Sequence, residues 1–256
     1  EEPSKPVAEI MSEKIIPIPA NTPSEKVVWE FENRDLLSVP VIDENNKLLG
    51  RITIDDVVDV IRDEAEHSLM SAAGLDEEDD LFSPATKSAK RRAIWLGVNL
   101  ATAFLAASVV DLFQTTLDKI VLLAVLMPIV PSMGGVAGSQ SLTIITRAIA
   151  LGNLDKTNTG GILKKEILVG ILNGLLWATV VGTLTYLWFD EWLIGIVIAG
   201  AMTINLVVAA LAGFSIPLIL KRLNIDPAIA GGVVLTTVTD VIGYISFLGL
   251  GAILLL

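Results

Sequence analysis

The chain has 256 residues, no cysteine and one histidine, and its 29 Asp/Glu against 18 Lys/Arg leave a formal charge of −11. Disulfides, thiolate metal sites and thiol catalysis are excluded, and His67 alone cannot build a zinc site. Residues 1–92 carry 21 Asp/Glu and 11 Lys/Arg, so the acidity belongs to that part; such a surface repels nucleic acid, and it serves either to concentrate cations or to keep the chain soluble.

The sequence opens on the polar Glu1-Glu2-Pro3, which reads as an excised start with a region expected upstream. Lys14-Ile15-Ile16-Pro17 is a short β-type run. Thr22-Pro23-Ser24-Glu25 starts a helix, with Thr22 as N-cap, a proline in the first turn and Glu25 as capping-box partner. Leu37 to Ile42 is extended, Asp43 to Asn46 is a turn, Leu48 to Ile52 is a strand, and a second helix begins at Ile54. This helix runs on through Val57, Val58, Val60, Ile61, Leu69 and Met70 until Gly74 or the acidic tract Asp76 to Asp80 stops it, a connecting rod leaving a β-α-β-β-α unit.

Leu37-Ser38-Val39-Pro40-Val41-Ile42-Asp43 and Gly50-Arg51-Ile52-Thr53-Ile54-Asp55-Asp56-Val57 make this unit resemble a CBS motif. The resemblance implies a paired partner motif and an adenine nucleotide such as ATP as ligand, with Thr53 and Asp56 on its ribose and phosphate. Equally, Thr53 caps the helix and Asp56 favours its positive end.

Lys87, Lys90, Arg91 and Arg92 form a basic collar ahead of the first apolar run, a membrane-interface signature. Five spans follow: Ala93 to Phe113, Ile120 to Leu151, Ile162 to Leu187, Leu193 to Leu220 and Ala228 to Leu256. Loops after the first and third carry Asp111, Asp118, Asp190 and Glu191 with Lys119, whereas those after the second and fourth carry Arg147, Lys156, Lys164, Lys165, Lys221 and Arg222. The positive-inside rule puts the N-terminal part in the cytoplasm and the C-terminus outside. The predicted class is a mainly α membrane protein: a small α/β unit over 1–65, a connecting helix and linker over 66–92, and a five-helix domain over 93–256.

The second span is too long for one straight membrane helix, because its 32 residues would reach about 48 Å against a hydrocarbon core of about 30 Å. Pro128 and Pro131 remove backbone donors, and Gly134, Gly135 and Gly138 permit close helix approach. A kinked span with a packing seam fits these residues. So does a water-lined pathway, which the polar Ser132, Ser139, Gln140, Ser141 and Thr143 favour. In the fifth span Asp240 is read as the one ionisable residue deep in any span, with Thr236 and Thr237 on its helical face and Gly243 extending that face. A charge there costs roughly 2.5–3.5 kcal/mol, so it needs water, a proton or a cation. One carboxylate among hydroxyls and carbonyls suits a hard ion such as Mg²⁺, which keeps most of its waters.

Pro131-x-x-Gly134-Gly135-x-x-Gly138-x-Gln140 in the second span and Thr237-x-x-Asp240-x-x-Gly243 in the fifth, following a CBS motif and a connecting helix, resemble the MgtE family of magnesium channels and transporters. The resemblance implies a homodimer in the plasma (inner) membrane with a pore between spans two and five. Asp240, with Thr236, Thr237 and Gly243, would hold hydrated Mg²⁺, and Pro131, Gly134, Gly135, Val136, Gly138, Gln140 and Gly232 would line the path. Cytoplasmic Mg²⁺ bound near Asp59, Asp63, Glu64 and Glu66 would close it. The chain departs from the family where Val136 and Gly232 replace asparagines common in it, and where His67 and Ser68 stand at positions expected to be acidic. An H⁺- or Na⁺-coupled exchanger is the alternative, and no nucleophile and base pair or phosphate-binding Gly loop points to an enzyme.

Overall fold

Alternation of apolar residues in short extended runs, and their recurrence every three to four residues in helices, determine how the first part folds. The computed structural model describes residues 6, 15–75, 82–151, 154 and 157–256. The small unit comprises β1 (Ile18–Pro19), α1 (Ser24–Arg34), β2 (Ser38–Ile42), β3 (Leu48–Thr53) and α2 (Ile54–Ala72). β1 lies parallel to β2, and β3 pairs with β2 antiparallel. Ile18 and Val39 from the sheet meet Val27 and Phe31 from α1 and Val57 from α2 in one buried cluster. Each such side chain contributes about 1.5–3 kcal/mol when withdrawn from water.

Two local expectations need correction. The first strand is Ile18–Pro19, not Lys14 to Pro17: Ile18 pairs with Val41 and is buried while Ile15 is exposed, and Lys14 lies outside the described residues. Thr22 does not cap α1. Pro23 takes the N-cap position with no side-chain cap bond, its carbonyl accepting from the Lys26 and Val27 N–H groups, while the Thr22 N–H is spent in a turn on the Pro19 carbonyl. The basic collar, ahead of the apolar run, lies in the first turns of a helix that starts at Ala85 and carries on into that run.

The turn between β2 and β3 closes as expected, with the Asp43 carboxylate accepting from the Asn45 and Lys47 N–H groups and Asn46 at a positive φ of 59°. α2 ends where Gly74 adopts φ 68°, with the Leu75 N–H reaching back to the Met70 carbonyl. The acidic tract Asp76 to Asp80 and the loop cation Lys156 lie outside the described residues.

Two compact units divide between Leu69 and Met70, inside α2. The second contains α3 (Ala85–Asp111), α4 (Gln114–Lys119), α5 (Val121–Leu126), α6 (Ile129–Ala150), α7 (Thr159–Phe189), α8 (Trp192–Arg222) and α9 (Pro227–Leu255). Among the described residues five stretches are long and apolar enough to cross a membrane, with α5 and α6 together forming the second. The chain is a multi-pass membrane protein. The interruption in that span is narrower than the Pro/Gly-rich run implied: only Met127 and Pro128 leave the helix, and Pro131 sits in the first turn of α6, where a proline costs no hydrogen bond. All three glycines after it are helical.

α8 is the central post, packed against α6, α7 and α9, while α3 leans on α9. Lipid tails are as apolar as leucine, so these contacts rest on close fit. The α7–α8 seam uses small residues: a Cβ on Gly182 would come within 2.9 Å of the Gly195 carbonyl, and one on Gly195 within 2.8 Å of the Gly182 carbonyl. α9 is started by Asp226, whose carboxylate accepts from the Ala228 N–H at 2.8 Å, with Pro227 first in the helix.

Candidate functional site

α6 and α9 run against each other along a stripe of small residues. Gly243 of α9 faces Pro131, Gly138 of α6 faces Leu235, and Gly135 faces the Thr239 hydroxyl. Beside this seam the two helices leave a groove of about 770 Å³, lined on α6 by Pro131, Ser132, Gly135, Val136, Ser139, Gln140, Thr143 and Ile144 and on α9 by Thr236 and Asp240. Its spacing explains itself: 132, 135, 136, 139, 140 and 143 fall on one face of α6, and 236 and 240 are one turn apart on α9.

Among the described residues Asp240 is the only charged side chain in the lining. Among the described residues no hydrogen bond or ion pair reaches its carboxylate. Three of the four hydroxyls in the lining, those of Ser139, Thr143 and Thr236, have committed their protons. Ser139 donates to the Gly135 carbonyl at 2.8 Å, Thr143 to the Ser139 carbonyl at 2.8 Å, and Thr236 to the Gly232 and Val233 carbonyls at 3.1 Å each. What those hydroxyls offer the groove is lone pairs. A cation still wearing its water presents outward-pointing O–H groups, which this lining can accept. An anion would find few donors.

The residues singled out from sequence fall in three groups. Asp240, Thr236, Pro131, Gly135, Val136 and Gln140 meet in the groove. Gly134, Gly138 and Gly243 instead turn inward, against Asn205, Leu235 and Pro131 respectively, where they let the helices approach. Thr237 donates to the Val233 carbonyl at 2.7 Å and does not line the groove, and Gly232 has open space around it without being part of the lining.

Two polar residues in the helices escaped sequence reasoning. Asn205, fully buried on α8, donates through Nδ2 to the Val130 carbonyl at 2.8 Å, immediately before Pro131, and fits there because Gly134 has no Cβ. A lone amide in the middle of a 31-residue apolar helix was the available signal. Glu166, near the start of α7, is 3 % exposed and accepts from the Ser141 hydroxyl at 2.6 Å. Asp240 is therefore not the only ionisable side chain held among the spans. Lys164 and Lys165, read as loop charge, stand directly before Glu166 in the sequence and drew no attention to it.

In the small unit, Asp56 accepts at 2.8 Å from the Thr53 N–H and at 2.9 Å from its hydroxyl. These bonds hold the Asp56 carboxyl below the usual carboxylate range. The pair thus closes the N-terminus of α2. Asp59, Asp63 and Glu66 lie on one exposed face of α2, with Glu64 exposed beside them.

Comparison with known proteins agrees with this architecture. Residues 127–250 match the MgtE family, described as divalent cation transporters, and residues 7–63 match the CBS domain family. The chain is 30% identical over 249 residues to a protein of Bacillus subtilis strain 168 named magnesium transporter MgtE, covering 97% of this chain and 55% of that protein. Proteins of the same name from Enterococcus faecalis and Thermus thermophilus are 32% and 31% identical over 91% and 99% of this chain, and 51% and 57% of their own lengths. The chain spans about half the length of the curated relatives it matches.

Proposed function

Because the chain belongs to the MgtE family of divalent cation transporters, we propose that it conducts Mg²⁺ through a pore built on the α6–α9 groove and is a transporter rather than an enzyme. The observation that carries the reading is the placement of Asp240 as the one charge in a groove whose hydroxyls present lone pairs. An octahedral Mg²⁺ with six waters occupies about 200 Å³, at about 30 Å³ per water. The groove has room for it hydrated, so Asp240 acts on the ion's waters and the ion passes without being stripped.

The groove is open on one side, where Val136 and Ile144 are more than half exposed. A second copy facing it would close a pore with two Asp240 carboxylates, which supports a homodimer. Val136 adds an apolar side chain to the lining and no polar group to order the ion's waters. The small unit and α2 would lie in the cytoplasm and the C-terminus outside, with residues 1–65, 66–92 and 93–256 serving as sensor, connector and conduction domain.

Cytoplasmic Mg²⁺ would gate the pore at the Asp59, Asp63, Glu66 face of α2 and neighbouring Glu64, where mutual repulsion is relieved by a cation. Replacing all four by alanine is expected to leave flux running at internal Mg²⁺ levels that silence the native protein. Retained inhibition would remove these residues from the sensor. Nucleotide binding at Thr53 and Asp56 would have to displace a hydrogen-bonded pair, so these residues act first as the helix cap.

Flux into proteoliposomes tests the transport mode. Mg²⁺ is expected to move down its own gradient whatever H⁺ or Na⁺ gradient is imposed. Flux that reverses or stops with either gradient would establish the exchanger.

A further inference from the structure

The polar stripe Glu166, Gly170, Asn173 on α7 recurs at i, i+4, i+7, and so faces one way. It faces a second cavity, of about 130 Å³ and more enclosed than the groove, whose polar lining is Gln140 and Ser141 of α6 with Lys165, Glu166 and Asn173 of α7. Gly170 leaves no bulk between Glu166 and Asn173, because the backbone of α8 at Leu206 lies against it. The volume corresponds to a few waters, or to a small ion with part of its shell.

The carboxylate in this cavity is built in. It is 3 % exposed, and Ser141 Oγ fixes one oxygen, Oε2, at 2.6 Å. The other, Oε1, is 3.9 Å from Lys165 Nζ, beyond hydrogen-bond reach, and that lysine side chain is 68% exposed. A solvated ammonium at that range neutralises a buried carboxylate weakly and is free to swing away. Gln140 and Ile144 line both this cavity and the Asp240 groove, so the two spaces share a wall whose polar member is Gln140.

The geometry points to a second cation site. The cavity takes a divalent ion of the hard, oxygen-seeking class, with Glu166 as its anionic ligand and Gln140, Ser141 and Asn173 as neutral oxygen donors, and it exchanges ions with the groove past Gln140. A single carboxylate with amide and hydroxyl oxygens is the donor set such an ion accepts. The inference rests on the reading of the chain as a cation transporter.

Its test is the number of Mn²⁺ ions bound per chain, measured by electron paramagnetic resonance on purified protein for the native chain, Glu166→Gln, Asp240→Asn and the double variant. Glu166→Gln keeps size and hydrogen bonding to Ser141 and removes only the charge. It is expected to bind fewer Mn²⁺ than native, and the double variant fewer still. A count unchanged by Glu166→Gln overturns the site. A drop with Glu166→Gln but none with Asp240→Asn supports the site while contradicting the role given to Asp240. If Glu166→Gln fails to assemble, Asn173→Leu, which fills the cavity, decides instead: a lowered count supports the site and a full count overturns it.

Discussion

Asp240→Asn is expected to lower Mg²⁺ uptake about a hundredfold or more while the protein assembles as before. Asparagine matches aspartate in shape, and an uncharged side chain is easier to keep within a membrane, so insertion and packing should not suffer. What disappears is the one charge of the groove. Removing one member of a charged pair at a poorly solvated site costs about 3–5 kcal/mol, and about 3 kcal/mol is already a factor above a hundred. The remaining hydroxyls accept hydrogen bonds from the ion's waters but carry no net charge to offset its own. Uptake is best measured in a magnesium-starved strain lacking other import routes, with the assembly state checked by size-exclusion chromatography. Unimpaired uptake would remove Asp240 from the pathway.

The second large effect is expected from a single methyl group added to α8. A Cβ on Gly213 of α8 would fall 2.6 Å from the Gly138 carbonyl oxygen, 2.8 Å from Ser141 Cβ and 3.1 Å from the Leu142 nitrogen. Two of these atoms are backbone and cannot step aside, so α6 and α8 must separate. Overpacking of this kind costs about 1–3 kcal/mol. Because α6 carries most of the groove, Gly213→Ala is expected to lose flux along with thermal stability. Gly97→Ala on α3 is the control, since nothing lies within 4 Å of the added carbon. In a helix interior it should be neutral or stabilising by about 0.5–1 kcal/mol. Equal melting temperatures for the two variants would show that the α6–α8 contact is looser than described.

The helical spans were legible because a membrane demands long unbroken apolar stretches, and little else in a sequence looks like that. Asp240 was legible for the same reason inverted: a carboxylate in such a stretch is costly enough to need a purpose. The β-α-β-β-α unit followed from period and turn chemistry, with Asp43 and Gly74 acting as their residue types require. What escaped depended on three-dimensional neighbours. Whether Gly134 lines a path or admits Asn205 cannot be read along one helix, since both uses need a residue without a side chain. Glu166 was hidden by two adjacent lysines, because spacing does not reveal that Lys165 points outward while its neighbour turns in against Ser141. Thr22 failed as a cap because Pro23 itself occupied the cap position.

In the proposed function the α6–α9 groove carries a hydrated divalent ion held by Asp240. A structure of the protein in Mn²⁺, with the metal located by its anomalous scattering, tests this most directly. Mn²⁺ is expected beside Asp240, with water between ion and carboxylate and a second chain's groove facing the first. Density for Mn²⁺ elsewhere in the membrane domain with none beside Asp240, at concentrations that support transport, would contradict it.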